Sequence, residues 1–409
     1  MKNASFTFGF FFCIIFSSFS QNSWHLFPSP VSENLVSVCF PNTANGFIIS
    51  ENATIIKTTD SGNSWETLYA WPGIHLNAIC FSDEMHGCSV GWFNNGNVDS
   101  SLILITVDGG NLWTWIDHPA VNRFNDVFFI DNDKGWAVGS KGEQNLNCIY
   151  YTSDGGLTWS EQTGIMIVGA ELKGVSFRNE NQGSVCGADG AFFLTSSGGS
   201  SWAMGISMPV LNLNDIFNFG ILSGCIVGDD GTALYTTNNW YQYVETTTNI
   251  NENLNAVSGD ATTNKLWAVG DNGTIIYTPN YLFGWVSQES GTIEDLNDIC
   301  MLSEDEGWAV GNNGTILYYG PTSDVNNTFS NKEFNVFPNP TSGLINIEGE
   351  FQQKETVIQI VDMTGKSKLR LQGAYDYQLN VDLSGNPTGI YYLVVSSATC
   401  TWTEKIFLH

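Results

Sequence analysis

Three aspartates recur at one point of a repeat. Asp126, Asp215 and Asp298 each stand two residues after the start of a strand-like run, in Phe-Asn-Asp-Val, Leu-Asn-Asp-Ile and Leu-Asn-Asp-Ile. Paired carboxylates at a suitable separation perform acid and base chemistry on glycosidic bonds, so these side chains are weighed first. Their periodicity fits a structural duty better, because a repeat reproduces framework while a catalytic site breaks it. Other chemistry is poorly supplied. Arg123 and Arg178 are the only arginines before residue 321, too few for a guanidinium triad that grips a carboxylate. No Gly-rich phosphate loop, His-Glu-x-x-His zinc motif or Gly-x-Ser-x-Gly elbow is present. No catalytic residue, cofactor or metal is expected.

A second group is defined by breaking the pattern. Two neighbouring units carry longer connections than the rest, Trp92 to Ser100 and Ser140 to Asn147. Trp92, Phe93, Asn94 and Asn95 lie in the first of these, and His75, His118 and Arg123 lie in connections that open on the same face. Such a rim can stack on a sugar or dock a protein side chain. Ordinary drift in loop length would leave the same trace.

The elements that position these residues are repeated. Strand starts at Leu35-Val-Ser-Val, Leu76-Asn-Ala-Ile, Phe124-Asn-Asp-Val, Leu172-Lys-Gly-Val, Leu213-Asn-Asp-Ile, Leu254-Asn-Ala-Val and Leu296-Asn-Asp-Ile lie 41 to 48 residues apart. That is the length of a four-stranded propeller blade. Only 13% of residues are charged, while 42 glycines, 14 tryptophans and 26 phenylalanines favour aromatic strands joined by tight turns. The expected fold class is all-β: a seven-bladed β-propeller over 21–321, a linker over 322–333, and a small Ig-like β-sandwich over 334–409. The last unit stops at Gly320-Pro321 with three strands. Residues 22–28, which precede the first unit, are expected to supply its fourth and hide the sheet edge.

Four units carry a hairpin of the form Ser/Thr-x-Asp-x-Gly-x-x-Trp. The key residues are Asp60, Gly62 and Trp65, then Asp108, Gly110 and Trp113, then Asp154, Gly156 and Trp159; the fourth, ending at Trp202, has Ser197 for the aspartate. The units ending at Trp240 and Trp285 are degenerate. An aspartate can accept the turn's amides, glycine supplies the unusual φ and tryptophan covers the hairpin, so these residues are expected to be structural. With the Gly-Trp-Ala-Val-Gly strands, they make the region resemble the BNR/Asp-box propellers, particularly the photosystem II stability and assembly factor family. The resemblance implies the fold. It also implies a basic working surface in the photosynthetic relatives, which two arginines do not provide. Asp-box sialidases need the arginine triad already ruled out.

The C-terminal pattern differs. Pro338-Asn339-Pro340-Thr-Ser-Gly343 precedes strand-like runs, Asp362-Met-Thr-Gly365-Lys366, Pro387-Thr-Gly389-Ile-Tyr and a final Lys405-Ile. Alternation and turn spacing predict the sandwich. The ordered motifs resemble the type IX secretion C-terminal sorting domain, also called the Por secretion system domain. That resemblance implies export through the outer-membrane translocon as partner, followed by removal of the domain. The N-terminus fits this route: Lys2, an apolar run from Phe6 to Phe19 and small residues before Gln21 read as a signal peptide over 1–20. No later run is long enough for a transmembrane helix.

The formal charge of −27 repels phosphate backbones, so nucleic acid is excluded as a partner. Cys39, Cys80 and Cys300 occupy one repeat position and are expected to be buried thiols acting as small apolar residues. Pairing among Cys88, Cys148, Cys186, Cys225 and Cys400 stays open. The expected function is a secreted or cell-surface, non-catalytic binding or scaffolding module for an unidentified glycan or protein. A carbohydrate-active enzyme or lectin is the alternative.

Overall fold

The computed structural model describes residues 22–321 apart from 95, 97–98, 119–120, 143, 145, 163–169, 261 and 281–283, together with 334–349, 356–362, 366–373, 378–396 and 401–409. The expected signal peptide and linker lie outside the described residues, as do Asn95, Gly365, Cys400 and the side chain of His118.

Asn22–Pro321 forms one compact unit. It contains seven four-stranded antiparallel sheets, here blades 1 to 7. Their inner strands are Leu35–Cys39, Ile74–Phe81, Arg123–Phe129, Leu172–Phe177, Leu213–Phe219, Leu254–Asp260 and Leu296–Met301. Blade 7 takes its fourth strand from the other end of the chain: Asn22–Phe27 pairs antiparallel with Thr315–Pro321, from Asn22 opposite Pro321 to Phe27 opposite Ile316. A separate apolar cluster fills each junction between neighbouring blades. The last joins Trp308, Val310 and Ile316 of blade 7 to Leu35, Val38 and Ile48 of blade 1. The fold is a closed seven-bladed β-propeller.

Every inner strand slips register directly after its first core residue, between Leu35 and Ser37 in blade 1 and equivalently through Leu296 and Asp298 in blade 7. A bulge re-aims the extra side chain. In five blades that residue is asparagine, and its amide donates to the first core carbonyl of the next blade. Asn77 reaches Phe124 at 2.7 Å, Asn125 reaches Leu172 at 2.7 Å, Asn214 reaches Leu254 at 2.9 Å, Asn255 reaches Leu296 at 3.0 Å and Asn297 reaches Leu35 at 2.8 Å. The bulge also accounts for the second glycine of Gly-Trp-Ala-Val-Gly. A Cβ on Gly139 would lie 1.9 Å from the Arg123 carbonyl oxygen, and one on Gly311 2.1 Å from that of Asp295.

The inner strand has no further strand to receive its outward amides, and unpaired buried amides are costly. The three aspartates answer this. Asp126 accepts Val127 of its own blade and Val175 of the next, both at 2.8 Å. Asp215 accepts Ile216 at 2.7 Å and Val257 at 2.8 Å, and Asp298 accepts Ile299 at 2.7 Å and Val38 at 2.8 Å. Ser37 Oγ accepts Ile79 at 3.3 Å, so this amide is capped in all seven blades. Deeper along the strands, Ser176 and Ser258 accept Asn218 and Met301 at 2.9 and 3.0 Å, while Cys39 Sγ accepts the Phe81 amide at 3.3 Å. The thiols at this position are therefore acceptors bridging adjacent blades, and the purely apolar role expected for them is corrected.

In the box hairpins Asp60 Oδ1 accepts the Ser64 amide at 2.9 Å and Asp154 Oδ1 accepts the Thr158 amide at 2.8 Å, while the threonine two residues before each aspartate accepts the glycine amide. Gly62, at φ 76°, lies so close to Trp308 of the preceding blade that a Cβ would come within 2.1 Å of the indole. The degenerate fifth box departs from the expected alignment. Asn238 takes the aspartate's place, accepting Gln242 at 2.9 Å, and Trp240 occupies the glycine position at φ 63° rather than the tryptophan position. It is fully buried and donates Nε1 to Asn218 at 3.0 Å.

The C-terminal unit is a sandwich of a three-stranded and a four-stranded antiparallel sheet around Ile345, Ile347, Ile358, Ile360, Leu393 and Ile406. Its final strand, Thr401–Leu408, is held from outside by the Pro-Asn-Pro segment. Asn339 donates to the Lys405 carbonyl at 2.6 Å and accepts the Phe407 amide at 3.0 Å, and Thr341 bridges Leu408 in parallel.

Candidate binding face

The second and third strands of blade 2 are the tallest of the seven, Gly87–Asn94 and Asp99–Thr106. The residues expected in a loop from Trp92 to Ser100 mostly extend the ladder instead: Trp92 pairs with Ser101, Phe93 with Ser100 and Asn94 with Asp99. His75, Arg123 and His118 likewise belong to strands rather than connections. The inserted residues formed extra rungs because both arms of the hairpin could complete each other's backbone bonds.

The structure brings three of the expected residues together. His75 and Trp92 are cross-strand partners whose rings stack at 4.2 Å and 15°, and the Arg123 guanidinium from blade 3 lies 4.3 Å from the Trp92 ring centroid. Arg123 Nη2 also meets Asp99 Oδ2 at 3.2 Å. The indole is thus engaged by the protein's own side chains, and the expected sugar-stacking role is not free to it as it stands. Asn94 closes the hairpin tip, donating to Asp99 at 2.9 Å and accepting Gly96 at 2.8 Å. Phe93 does not join the group. It packs into the core between blades 1 and 2, edge-on to Trp115 at 5.4 Å.

Beside this stack opens a cavity of about 300 Å³ lined by Asp99, Asn122, Arg123, Ser140 and Glu171. Asn122 is fixed by Gly142, donating to its carbonyl at 2.8 Å and accepting its amide at 3.0 Å, and Glu171 accepts Asn125 at 2.8 Å. The lining offers a guanidinium fork, two carboxylates, an amide and a hydroxyl. It can hydrogen-bond a polyol or a peptide backbone, and it supplies no activated nucleophile. Sequence reasoning missed Asp99, Asn122, Ser140 and Glu171. Asp99 and Ser140 lie in the long connections themselves, and Asn122 and Glu171 stand just before strand starts. A second cavity, of about 220 Å³, lies at the other end of blades 2 and 3 against His86, Val107, Phe129 and Leu157.

Three carboxylates with raised pKa values lie in the channel, while burial also raises Glu306 on a turn of blade 7. Burial pushes Asp215 up to about 7 against the pull of the Val257 amide, and Asp298 up to about 6 against that of Val38. Burial and then the Asp215 charge raise Asp126. All three accept two amides each, so they are framework. The box aspartates shift the other way: the Leu112 amide holds Asp108 below the usual carboxylate range, and the Thr158 hydroxyl and amide do so for Asp154. A general acid needs the opposite. Among the described residues, no group of three His, Cys, Asp or Glu side chains could hold a metal ion, and no helix is long and apolar enough to cross a membrane.

Comparison with known proteins agrees with the fold. Residues 16–120 and 105–208 match the photosynthesis system II assembly factor YCF48 family, and residues 335–409 match the secretion system C-terminal sorting domain. A propeller similar to photosystem II assembly factors is joined to a secretion sorting domain. The rice chloroplast photosystem II stability/assembly factor HCF136 (Oryza sativa subsp. japonica) is 28% identical over 163 residues, 37% of this chain and 35% of that protein. The photosystem II assembly lipoprotein Ycf48 of Trichormus variabilis is 35% identical over 57 residues, 14% of this chain and 17% of that one. The matched stretches thus span about a third and a sixth of these relatives. A solved YCF48 bound to a D1 peptide superposes with TM-score 0.58 at 16% identity, covering 74% of this chain and 98% of that one; at that identity the likeness shows the fold. The sorting domain indicates export by the type IX route.

Proposed function

We propose that the chain is a non-catalytic binding or scaffolding module, delivered by its sorting domain to the cell surface or the medium, and that the blade 2 and blade 3 face holds its ligand. The observation that carries this reading is a departure from sevenfold repetition on blades 2 and 3: a tall hairpin, a His75–Trp92–Arg123 stack and a polar cavity beside it. A binding site must break a repeat, whereas the channel carboxylates follow it and spend their oxygens on amides. The solved YCF48 is bound to a D1 peptide, and a mixed lining of guanidinium, carboxylate and amide suits a peptide backbone. The excess of 41 acidic over 14 basic residues favours a partner that is not anionic. The test exposes the purified chain to arrays of surface glycans and of peptides, recording retention and released reducing sugar. Retention weakened at least tenfold by Glu171→Ala supports the face. Released sugar overturns the non-catalytic reading, and retention untouched by Glu171→Ala moves the site elsewhere.

A further inference from the structure

Cys80 and Cys88 are register partners across the first two strands of blade 2. Directly opposed residues in an antiparallel pair project to the same side, with Cα atoms about 4.5–5.5 Å apart, within the Cα separations of about 4.4–6.8 Å that a disulfide accepts. The other described cysteines face non-cysteine partners: Cys39 opposes Phe47, Cys148 opposes Gly139, Cys186 opposes Gly174 and Phe192, Cys225 opposes Phe217 and Tyr235, and Cys300 opposes Trp308. All of these thiols are free. Cys80 is half-buried on the inner strand, and Cys88 is 1% exposed in the apolar cluster against which Cys80 packs.

We infer that Cys80 and Cys88 form a cross-strand disulfide once the chain leaves the reducing interior and meets a small-molecule disulfide. The more accessible Cys80 thiolate attacks the small disulfide, forming a mixed disulfide and releasing one thiolate. Cys88, after losing its proton, attacks the Cys80 sulfur and releases the second. Two protein thiols are oxidised and one small disulfide is reduced to two thiols. The bond would staple the ladder that also pairs His75 with Trp92, so oxidation would fix the hairpin carrying the candidate face. Burial holds the Cys80 thiol at about 11, which makes the reaction slow near neutrality and accelerates it about tenfold per pH unit up to that range.

The test incubates the folded, reduced full-length chain with 2-hydroxyethyl disulfide at pH 8.5, alkylates the remaining thiols in denaturant, and cleaves at Met85, which lies between the two cysteines. Fragments ending at Met85 and beginning at His86, joined through Cys80 and Cys88 in tandem mass spectra, with two fewer alkylated thiols per chain, are expected. Recovery of both cysteines alkylated, or of Cys80 bonded to any other cysteine, overturns the inference. In Cys88→Ser, Cys80 is expected to retain one hydroxyethylthio adduct; an unmodified Cys80 there overturns the order of attack.

Discussion

The Asp298 carboxylate of the last blade accepts the Val38 amide of the first at 2.8 Å, across 260 residues of chain. Its other oxygen holds Ile299 at 2.7 Å, so one side chain caps both sides of the seam where the ring closes. Asp298→Ala leaves two amides without their acceptor and is expected to cost about 2–4 kcal/mol. Ser37→Ala removes one neutral acceptor and is expected to cost about 1 kcal/mol. Urea unfolding of both variants checks the pair; equal losses would show that the carboxylate is not acting on two amides.

The raised channel carboxylates give stability a direction with pH. A carboxyl whose pKa is higher folded than unfolded holds its proton better in the native state, so its contribution is complete below about 4 and lost as pH rises through the folded value. For Asp215 that window runs from about 4 to about 7, and for Asp298 from about 4 to about 6. Asp215→Asn is expected to remove about 2–4 kcal/mol of the decline between pH 4 and 7. Melting temperatures across that range, compared with the unaltered chain, provide the measurement.

Gly139→Ala sets a methyl 1.9 Å from the Arg123 carbonyl. The bulge opposite must give way, and a loss of about 1–3 kcal/mol is expected. A stability unchanged to within 0.5 kcal/mol on thermal or denaturant unfolding, roughly the scale of a neutral surface change, would mean the bulge is softer than its hydrogen bonds imply.

The contact between Trp92 and Arg123 is a cation over an aromatic face on a half-exposed surface. A double-mutant cycle through Trp92→Ala and Arg123→Ala is expected to give a coupling of about 0.5–1 kcal/mol. Zero coupling would leave the guanidinium held by Asp99 alone.

Asn339 grips the end of the chain with both halves of its amide. Asn339→Ala is expected to raise hydrogen exchange at the Phe407 amide at least tenfold while exchange at Ile360, in the sandwich core, stays unchanged. Equal exchange at Phe407 would show that the final strand is secured by its sheet partner and the Thr341 bridge without Asn339.

Much of the frame was legible because Leu-Asn-Asp-Ile and Gly-Trp-Ala-Val-Gly recur with strand alternation. The bulge was not, since one extra residue after Leu76 or Leu296 leaves that alternation looking almost intact; only register reveals that the asparagine turns toward the next blade. Trp240 misled for a related reason. Tryptophan marks the hairpin's end elsewhere, and only its φ of 63° places it at the turn. At the candidate face, His75, Trp92 and Arg123 were found through asymmetry. Phe93 was carried along by adjacency, although side chains on neighbouring strand residues point to opposite faces. Asp99 and Glu171 were overlooked because a carboxylate in an acidic chain gives no signal of its own.

The amide caps carry a rule of parity. Aspartates stand on blades 3, 5 and 7, each serving its own blade and the next, and blades 2, 4 and 6 have Ala78, Gly174 and Ala256 at that position. Two-handed caps tile an even ring without remainder, but seven leaves one blade over. Ser37 is that remainder, a one-handed cap where the pattern meets itself. Deleting blade 1, which carries Ser37, would leave six blades tiled by the three aspartates, whereas deleting blade 3 would strand the Val175 amide and deleting blade 4 would set Asp126 beside Asp215.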